Sequence, residues 1–376
     1  MSNHLTLKLQ QYAALRDEQG LHRQRHIVSA DKHVIHFSSN DYLSLAHDDR
    51  VRRAYQIGFA THPVGSGGSM VVCGYHAAHR TLEKAFAQAL QVDDCLLFSS
   101  GYAANLSVVS LLAQMDASLL IDKAVHASIY DGLKLSGAKY QRYLHNDVID
   151  LAKKMDDQSS NTVVMTESVF SMSGQRAPLA DIAQLTNVAQ IDLLVDEAHA
   201  FGVFGPEGLG GVMESRLTQM DVPLRVIPFG KAVGASGAIV AGQGVWIDAL
   251  LQMRPAVYST SISPAYSYGL LETLDIIRQA DARREKLAHL VHYFREAIQR
   301  SPLKWRDSCS PIQQLQLGCP HKATTMAANL REHAIICLPM RQPTVNRDET
   351  GLRVILNYHH EPEQIDLLFH CLHASG

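Results

Sequence analysis

The amino-acid sequence predicts an α/β fold, with a large domain built on a mostly parallel sheet and a smaller C-terminal α+β domain. Through the middle of the chain, short apolar runs alternate with longer segments of helical periodicity, which is typical of strand–helix–strand units. After Pro302 the order changes to strand, helix, strand and a final helix, which indicates a separate small domain. The length of 376 residues is sufficient for two domains.

Each predicted strand of the large domain is short and rich in Val, Ile or Leu, as expected of a strand that is buried on both faces of a parallel sheet. Helices are predicted where apolar residues recur at intervals of three and four. The predicted strands are residues 95–98, 119–122, 163–166, 193–196, 225–229 and 238–241, the predicted helices are residues 102–115 and 179–189, and residues 267–300 are predicted to form a connecting helical region.

The small domain has its own alternation of elements. Its predicted strands are residues 312–317, 335–337 and 352–356, and its predicted helices are residues 322–332 and 362–373. The predicted domain limits are residues 1–44 for an N-terminal segment that packs with the small domain, 45–280 for the large domain and 281–376 for the small domain.

Composition and charge argue against several classes of function. A formal net charge of -3 provides no basic field for non-specific nucleic-acid binding. Residues 1–10 lack a secretion signal, and no run approaches the roughly 18 apolar residues of a membrane span, so we expect a cytoplasmic protein without nucleic-acid or membrane partners. The six cysteines form no CxxC pair and the 20 histidines have no metal-ligand spacing, so no metal is expected.

A lysine among small residues is the first candidate for chemistry. In Phe229-Gly-Lys-Ala-Val-Gly-Ala-Ser-Gly, Lys231 follows a predicted strand, and the glycines around it allow the backbone to approach a ligand closely. A surface lysine in a glycine-rich loop would give the same pattern, so Lys231 alone does not identify a site.

Asp196 and His199 follow another predicted strand, in Leu193-Leu-Val-Asp-Glu-Ala-His. The carboxyl end of a parallel strand is where ligands bind in open α/β sheets. A carboxylate at this position can keep a pyridine nitrogen protonated, although an aspartate that caps a helix is the structural alternative.

A third pattern indicates a phosphate site. In Ser100-Gly-Tyr-Ala-Ala-Asn a predicted strand leads into a helix, whose first N–H groups can bind phosphate at Gly101 and Tyr102. Many strand–helix connections look like this, so the turn is weak evidence by itself. The stronger evidence is the order of five components within one predicted domain: this turn, His126, Ser171, Asp196 with His199, and Lys231.

With these motifs the chain resembles the α-oxoamine synthases, fold-type I enzymes that depend on pyridoxal 5′-phosphate (PLP). The resemblance runs from about residue 36 to the C-terminus and implies a seven-stranded, mostly parallel sheet in the large domain. The motifs that carry it are Asn40-Asp-Tyr-Leu, Gly65-Ser-Gly-Gly-Ser, Ser100-Gly-Tyr-Ala-Ala-Asn, His126-Ala-Ser, His145-Asn-Asp, Val169-Phe-Ser-Met, Val195-Asp-Glu-Ala-His, Phe229-Gly-Lys and Tyr258-Ser-Thr-Ser.

Within this family the chain is most similar to the members that condense L-alanine with a pimeloyl thioester, of CoA or of an acyl-carrier protein, in biotin synthesis. The resemblance implies PLP as cofactor and a homodimer. Glycine C-acetyltransferase and 5-aminolevulinate synthase share the PLP residues and stay open as alternatives, as does a scaffold without activity. The motifs that favour the alanine-using members are Asp281-Ala-Arg-Arg-Glu-Lys-Leu, Asp307-Ser-Cys-Ser-Pro-Ile-Gln, Pro343-Thr-Val and Leu352-Arg-Val.

The resemblance implies roles for the residues around the cofactor ring. Lys231 would bind the cofactor covalently, Asp196 would face its ring nitrogen, and His126 would stack on its ring. Ser171 and His199 would form hydrogen bonds with its phenolic oxygen. Lys231, His126, Asp196 and His199 are therefore the predicted catalytic residues.

The resemblance also implies where the phosphate and the substrates bind. The backbone at Gly101 and Tyr102 would hold the phosphate, and Thr260 would reach the phosphate of a neighbouring subunit. Substrate binding is assigned to Arg353, which would pair with the amino-acid carboxylate, to Thr344 at the acyl site, and to Asn40.

The chain departs from the family pattern near the cofactor. Pro228 stands where the family usually has a threonine whose hydroxyl binds the phosphate, and proline offers neither a hydroxyl nor an N–H. Ala200 and Phe201 replace the usual Gly-Thr, and Ser173 replaces a common aspartate. We therefore expect weaker retention of PLP and added bulk near the cofactor.

We expect Pro228→Thr to tighten PLP binding by roughly ten- to a hundredfold, because a hydrogen bond to a charged group contributes about 1.5–3 kcal/mol. A fluorescence titration of the apoprotein with PLP measures the change. Submicromolar affinity in the natural chain, unchanged by the substitution, would contradict this role of Pro228.

Overall fold

The computed structural model describes residues 3–23, 25, 27–28, 31, 33–156, 161–342 and 344–374, so Pro343 of one sequence motif lies outside the described residues. The helices are α1 (His4–Glu18), α2 (Asp49–Thr61), α3 (Ala77–Leu90), α4 (Gly101–Gln114), α5 (Ala127–Ser136), α6 (Val148–Met155), α7 (Leu179–Ala189), α8 (Gly211–Glu214), α9 (Gly244–Leu251), α10 (Arg254–Val257), α11 (Pro264–Arg278), α12 (Asp281–Gln299), α13 (Pro320–Glu332) and α14 (Pro362–Ala374). The strands are β1 (Ile35–His36), β2 (Asp94–Phe98), β3 (Ser118–Asp122), β4 (Lys139–Tyr143), β5 (Thr162–Glu167), β6 (Asp192–Asp196), β7 (Leu224–Pro228), β8 (Ala238–Gly242), β9 (Ile312–Gln316), β10 (Ile335–Ile336), β11 (Leu338–Met340) and β12 (Gly351–Ile355).

One sheet has seven strands in the order β2-β8-β7-β6-β5-β3-β4. Strand β8 is antiparallel to both neighbours, and every other adjacent pair is parallel. The predicted seven-stranded, mostly parallel sheet is thus confirmed, and each of the six predicted strands is present within one residue of its predicted limits. The missed strand is β4, an edge strand whose first four residues are exposed and which lacks an apolar run.

Helices cover both faces of this sheet. Helices α4, α5 and α9 pack on one face, and α6 and α7 pack on the other. Because side chains alternate along a strand, Leu119 and Ile121 of β3 point into the first core and Leu120 points into the second. This two-sided burial explains why the strands are continuous apolar runs.

The predicted helical region 267–300 is present and consists of two helices, α11 and α12. The backbone leaves the helical conformation at Gln279, and a new helix begins at Asp281. Both helices bury one apolar face, so the periodicity continues across a short break that pattern alone does not reveal. An aspartate in the first turn of α12 favours a helix start at this point.

Contacts divide the chain into two compact units. The larger comprises Asn40–Ser171 and Gln175–Lys286, and the smaller comprises Met1–Ser39, Met172–Gly174 and Leu287–Gly376. We propose that these units correspond to the predicted large and small domains.

The smaller unit contains two sheets. One has the antiparallel order β11-β12-β9, and the other is the parallel pair β1 and β10, in which Ile35 lies opposite Ile335. Strand β1 therefore attaches the N-terminal segment to this unit. None of the helices in the described part of the chain has the length and apolar character needed to cross a membrane.

A buried carboxyl group joins α3 to β2, the strand that leads into the turn at Gly101. Glu83 is only 2% exposed, and its carboxyl accepts hydrogen bonds from the Leu97 N–H at 3.2 Å and from the Tyr75 hydroxyl. Burial raises the pKa of Glu83 to about 7, although these two hydrogen bonds favour the ionised form. The folded chain thus binds this proton more tightly than an ordinary glutamate, whose pKa is 4.5.

We expect Glu83→Gln to remove one pH-dependent part of the stability. A raised pKa in the folded state contributes stability that is complete below pH 4.5 and is lost as the pH rises through about 7. Relative to Glu83→Gln, the natural chain should therefore lose about 2–3 kcal/mol of unfolding free energy between pH 4.5 and pH 8. Urea unfolding over this range measures the difference, with the exposed Glu363→Gln as the control, and parallel stability curves for the natural chain and Glu83→Gln would disprove the prediction.

Candidate active site

A cavity of about 380 Å³ lies at the carboxyl ends of β5, β6 and β7, in the larger unit. This edge is where open α/β sheets bind ligands, and the volume lies in the usual range of about 300–1,000 Å³ for small-molecule sites. The predicted site residues that line the cavity are Gly101, Tyr102, His126, Asp196, His199 and Lys231. Its other lining residues are Ser99, Ser100, Asn105, Ser128, Glu167, Ala198, Pro228, Gly230, Ala235, Ser236 and Gly237.

Two other residues predicted to bind the cofactor lie outside this lining. Ser171 is buried in the turn that follows β5, 7% exposed. Thr260 pairs with Ser69 in an isolated antiparallel bridge and lines a separate small cavity. The predicted roles of these two residues stay predictions.

Asp196, the last residue of β6, presents a buried carboxylate to the cavity. It is 6% exposed, its Oδ2 accepts a hydrogen bond from Asn105 Nδ2 at 2.8 Å, and its Oδ1 accepts one from the Ala198 N–H at 2.9 Å. Both donors are neutral, so the negative charge of Asp196 can still attract a cationic group of a ligand.

The next residue, Glu197, serves a structural purpose. It is fully buried, and its carboxyl accepts hydrogen bonds from Ser168 Oγ at 2.7 Å and from the N–H groups of Gly211 and Val212 at 2.9 and 2.8 Å. A Cβ on Gly210, whose φ is 100°, would lie 2.8 Å from this carboxyl. Glu197 therefore fixes the loop around α8, whereas Asp196 faces the cavity.

His126 lies at the N-terminal cap of α5. Its Nδ1 accepts a hydrogen bond from the Ser128 N–H at 3.2 Å and lies 2.8 Å from Ser128 Oγ. Burial lowers the pKa of His126, the positive charge of Lys231 lowers it further, and Asp196 opposes both effects. The imidazole is therefore neutral near pH 7, which suits packing against a ligand ring.

His199 lines the cavity and forms a hydrogen bond with the buried hydroxyl of Tyr42. Its Nδ1 lies 2.6 Å from the hydroxyl of Tyr42, and that hydroxyl lies 3.4 Å from Oδ1 of Asn40. Tyr42 and His199 are 0% and 4% exposed. The structure thus connects Asn40, a predicted substrate residue, to His199 through Tyr42.

The predicted phosphate turn is present at the start of α4. Ser100 caps the helix by accepting a hydrogen bond from the Ala103 N–H at 3.1 Å. A Cβ on Gly101 would lie 2.5 Å from Cγ of Pro228, so glycine is required here and the proline ring occupies the space beside it. Pro228 therefore lines the same end of the cavity as the turn.

The expectation that Ala200 and Phe201 add bulk near the cofactor is wrong. Both side chains are buried outside the cavity lining. Phe201 stacks on Phe86 with ring centroids 5.8 Å apart, and Phe86 in turn contacts Phe229 at 5.5 Å. The chain after His199 turns into the core, so proximity in sequence does not bring Phe201 to the site. Ser173 is buried in the smaller unit.

Two predicted substrate residues belong to the smaller unit. Arg353, in β12, is 3% exposed and lies opposite Leu338 of β11 and Gln314 of β9. Thr344 accepts a hydrogen bond from the guanidinium group of Arg23 at 3.0 Å. Their predicted roles stay predictions.

Asn105, Ser128 and Glu167 also line the cavity, and the sequence motifs predicted no role for them. Glu167 ends β5 directly beside Asp196 in the strand register, and burial raises its pKa well above the usual value. A carboxylate at the end of a predicted buried strand was the signal that identified Asp196, and it applies equally to Glu167. Among the residues that the structure describes, no group of three or more His, Cys, Asp or Glu side chains could hold a metal.

Known proteins resemble the chain over almost its whole length. Residues 32–372 match the family described as Aminotransferase class I and II. An 8-amino-7-oxononanoate synthase of Pseudomonas putida is 39% identical over 92% of this chain and 89% of its own length.

Two solved structures share the fold. An 8-amino-7-oxononanoate synthase of Francisella tularensis has a TM-score of 0.80 and 30% identity, covering 91% of this chain and 97% of that one. A serine palmitoyltransferase of Sphingomonas wittichii has a TM-score of 0.89 and 26% identity, covering 100% and 98%. The chain therefore belongs to the aminotransferase class I and II family and, within it, to the PLP-dependent α-oxoamine synthases of fold-type I that its motifs indicated.

Proposed function

We propose that the protein is an 8-amino-7-oxononanoate synthase, which condenses L-alanine with a pimeloyl thioester and releases the thiol and carbon dioxide. The main support for this proposal is that Lys231, Asp196 and His126 line one cavity, beside the start of α4 at Gly101. The identity of 39% to a relative of that name supports the choice of substrates.

The cavity residues fit PLP. The buried carboxylate of Asp196, held by neutral donors, suits a protonated ring nitrogen, and the first N–H groups of α4 at Gly101 suit a phosphate. The amine of Lys231 suits the aldehyde. When bound, PLP supplies an electron sink for the charge that develops on Cα of the amino acid.

The chain supplies the proton transfers and the orientation. Lys231 would anchor the cofactor, and its Nζ would be the base that takes the Cα proton of alanine. Asp196 would hold the proton on the ring nitrogen, and the neutral His126 would pack against the ring. Arg353 holds the carboxylate of alanine with paired hydrogen bonds until it leaves as carbon dioxide.

The residues around Thr344 favour an acyl chain that ends in a free carboxylate. Arg23 donates to Thr344, and Arg341 donates to the Gly20 carbonyl oxygen at 2.6 Å and, more weakly, to that of His22 at 3.3 Å. Burial lowers the pKa of Arg341, and the positive charge of Arg23 lowers it further. Two neighbouring cations would attract the anionic end of a pimeloyl group more than a methyl ester.

The same proposal includes three features that the sequence predicted. They are a homodimer in which Thr260 reaches the phosphate of the neighbouring subunit, a cytoplasmic location, and a thioester of CoA or an acyl-carrier protein. Each stays a prediction.

Substrate competition tests the proposal. The purified protein with PLP is incubated with L-alanine, glycine or L-serine, each with pimeloyl-CoA, its methyl ester or palmitoyl-CoA, and mass spectrometry identifies the amino ketone. We expect 8-amino-7-oxononanoate from L-alanine and free pimeloyl-CoA as the main product. Preferred use of serine with palmitoyl-CoA would indicate the activity named in the serine palmitoyltransferase neighbours, and no product despite bound PLP would indicate a scaffold.

We expect Arg353→Ala to raise the KM for alanine by roughly ten- to a hundredfold, since a hydrogen bond to a charged group is worth about 1.5–3 kcal/mol. The KM for the acyl thioester should change much less. Arg306→Ala is the matched control, because Arg306 lies in the same unit and pairs with Glu349 at 2.8 Å. An unchanged KM for alanine in folded Arg353→Ala protein would show that the carboxylate binds elsewhere.

A further inference from the structure

A hydrogen bond joins the hydroxyl of Tyr42 to Nδ1 of His199. The phenol approaches the imidazole from within the protein, because His199 lines the cavity and Tyr42 does not. Their rings meet edge to face with centroids 6.1 Å apart, and Tyr42 is 0% exposed. Buried phenol hydroxyls usually have a hydrogen-bond partner, and His199 provides one for Tyr42.

The distances indicate the direction of this hydrogen bond. The hydroxyl oxygen of Tyr42 lies 2.6 Å from His199 Nδ1 and 3.4 Å from Asn40 Oδ1. Strong hydroxyl hydrogen bonds span about 2.5–3.0 Å, so the contact with His199 is the strong one. An N–H donor spans about 2.7–3.2 Å, so a separation of 2.6 Å favours the hydroxyl as the donor to Nδ1. With the hydroxyl as donor, the hydrogen of a neutral His199 resides on Nε2.

The segment that carries Tyr42 is fixed by its own hydrogen bonds. Asp41 accepts from the N–H groups of Leu45 and Ala46 at 2.8 and 2.9 Å, and Arg283 donates to the Leu43 carbonyl oxygen at 2.6 Å. The position of the Tyr42 hydroxyl is thus set before any ligand binds. This rigidity is what an orienting group needs.

We propose that Tyr42 is a positioning residue that holds His199 as the Nε2–H tautomer, so that the imidazole donates a hydrogen bond to the phenolic oxygen of PLP. The identity of that oxygen rests on the proposed function, whereas the tautomer is a property of the chain alone. In the other tautomer, a lone pair of Nε2 would meet an anionic oxygen, and the contact would be repulsive.

Tyr42→Phe separates this role from packing, because it keeps the ring and removes only the hydroxyl. The first measurement uses the apoprotein with 15N-labelled histidine, in which the ring-nitrogen shifts of His199 are identified by their absence in His199→Gln. We expect an unprotonated Nδ1 and a protonated Nε2 in the natural chain, and a mixture of tautomers in Tyr42→Phe. Tyr143→Phe, an equally buried phenol of β4, is the control and should leave the His199 signals unchanged.

The second measurement is the pH midpoint of the visible absorbance of the PLP-loaded protein. Without its donor the anionic oxygen is less stable, so Tyr42→Phe should move this midpoint up by about 0.5–1 pH unit, and the shift should vanish in the His199→Gln background. The proposal would be overturned if His199 had the same tautomer in the natural chain and in Tyr42→Phe. It would also be overturned if Tyr42→Phe moved the pH midpoint equally in the presence and absence of His199→Gln. Because the apoprotein spectra need no substrate, a failed condensation assay would refute the proposed function and leave the tautomer result intact.

Discussion

The rest of the site depends on how the buried negative charge of Asp196 is compensated. Removing a charge from water costs several kcal/mol unless other groups compensate for it. Asn105 from α4 and the Ala198 N–H supply two hydrogen bonds, and the cavity leaves room for a cationic ring nitrogen to supply the remainder. The sheet order places β6 between β5 and β7, which brings Glu167 and the Lys231 loop to the same edge.

Protonation states around Asp196 are complementary. The carboxylate supplies negative charge, the buried His126 is neutral, and Tyr42 directs the hydrogen of His199 to Nε2. Such preorganised dipoles and charges need little rearrangement when a ligand binds, which is the main contribution of a protein to cofactor chemistry. These groups serve the cofactor and not the substrates, so substrate choice must depend on other residues, and we propose Arg23, Arg341 and Thr344 for this role.

The sequence sufficed for the parts of the fold and site that depend on local pattern. Apolar runs identified six strands, and Asp196 and Lys231 were recognisable because each follows such a strand. Strand β4 was missed because its exposed edge residues, such as Lys139, carry no apolar signal. Asn105 and Tyr42 were not assigned because their partners, Asp196 and His199, lie 91 and 157 residues away in the chain. Phe201 was misplaced because the backbone after His199 turns into the core, which only tertiary packing determines.

The identity of the lysine that carries the cofactor is the most direct test of the site. Borohydride reduction of the PLP-loaded protein makes the lysine–cofactor link permanent, and peptide mass mapping then locates the phosphopyridoxyl group. We expect one such group per chain, on the peptide that contains Lys231, and none on that peptide in Lys231→Arg. Labelling of a different lysine in the natural chain, or no labelling at saturating PLP, would contradict the assignment of the cavity as the PLP site.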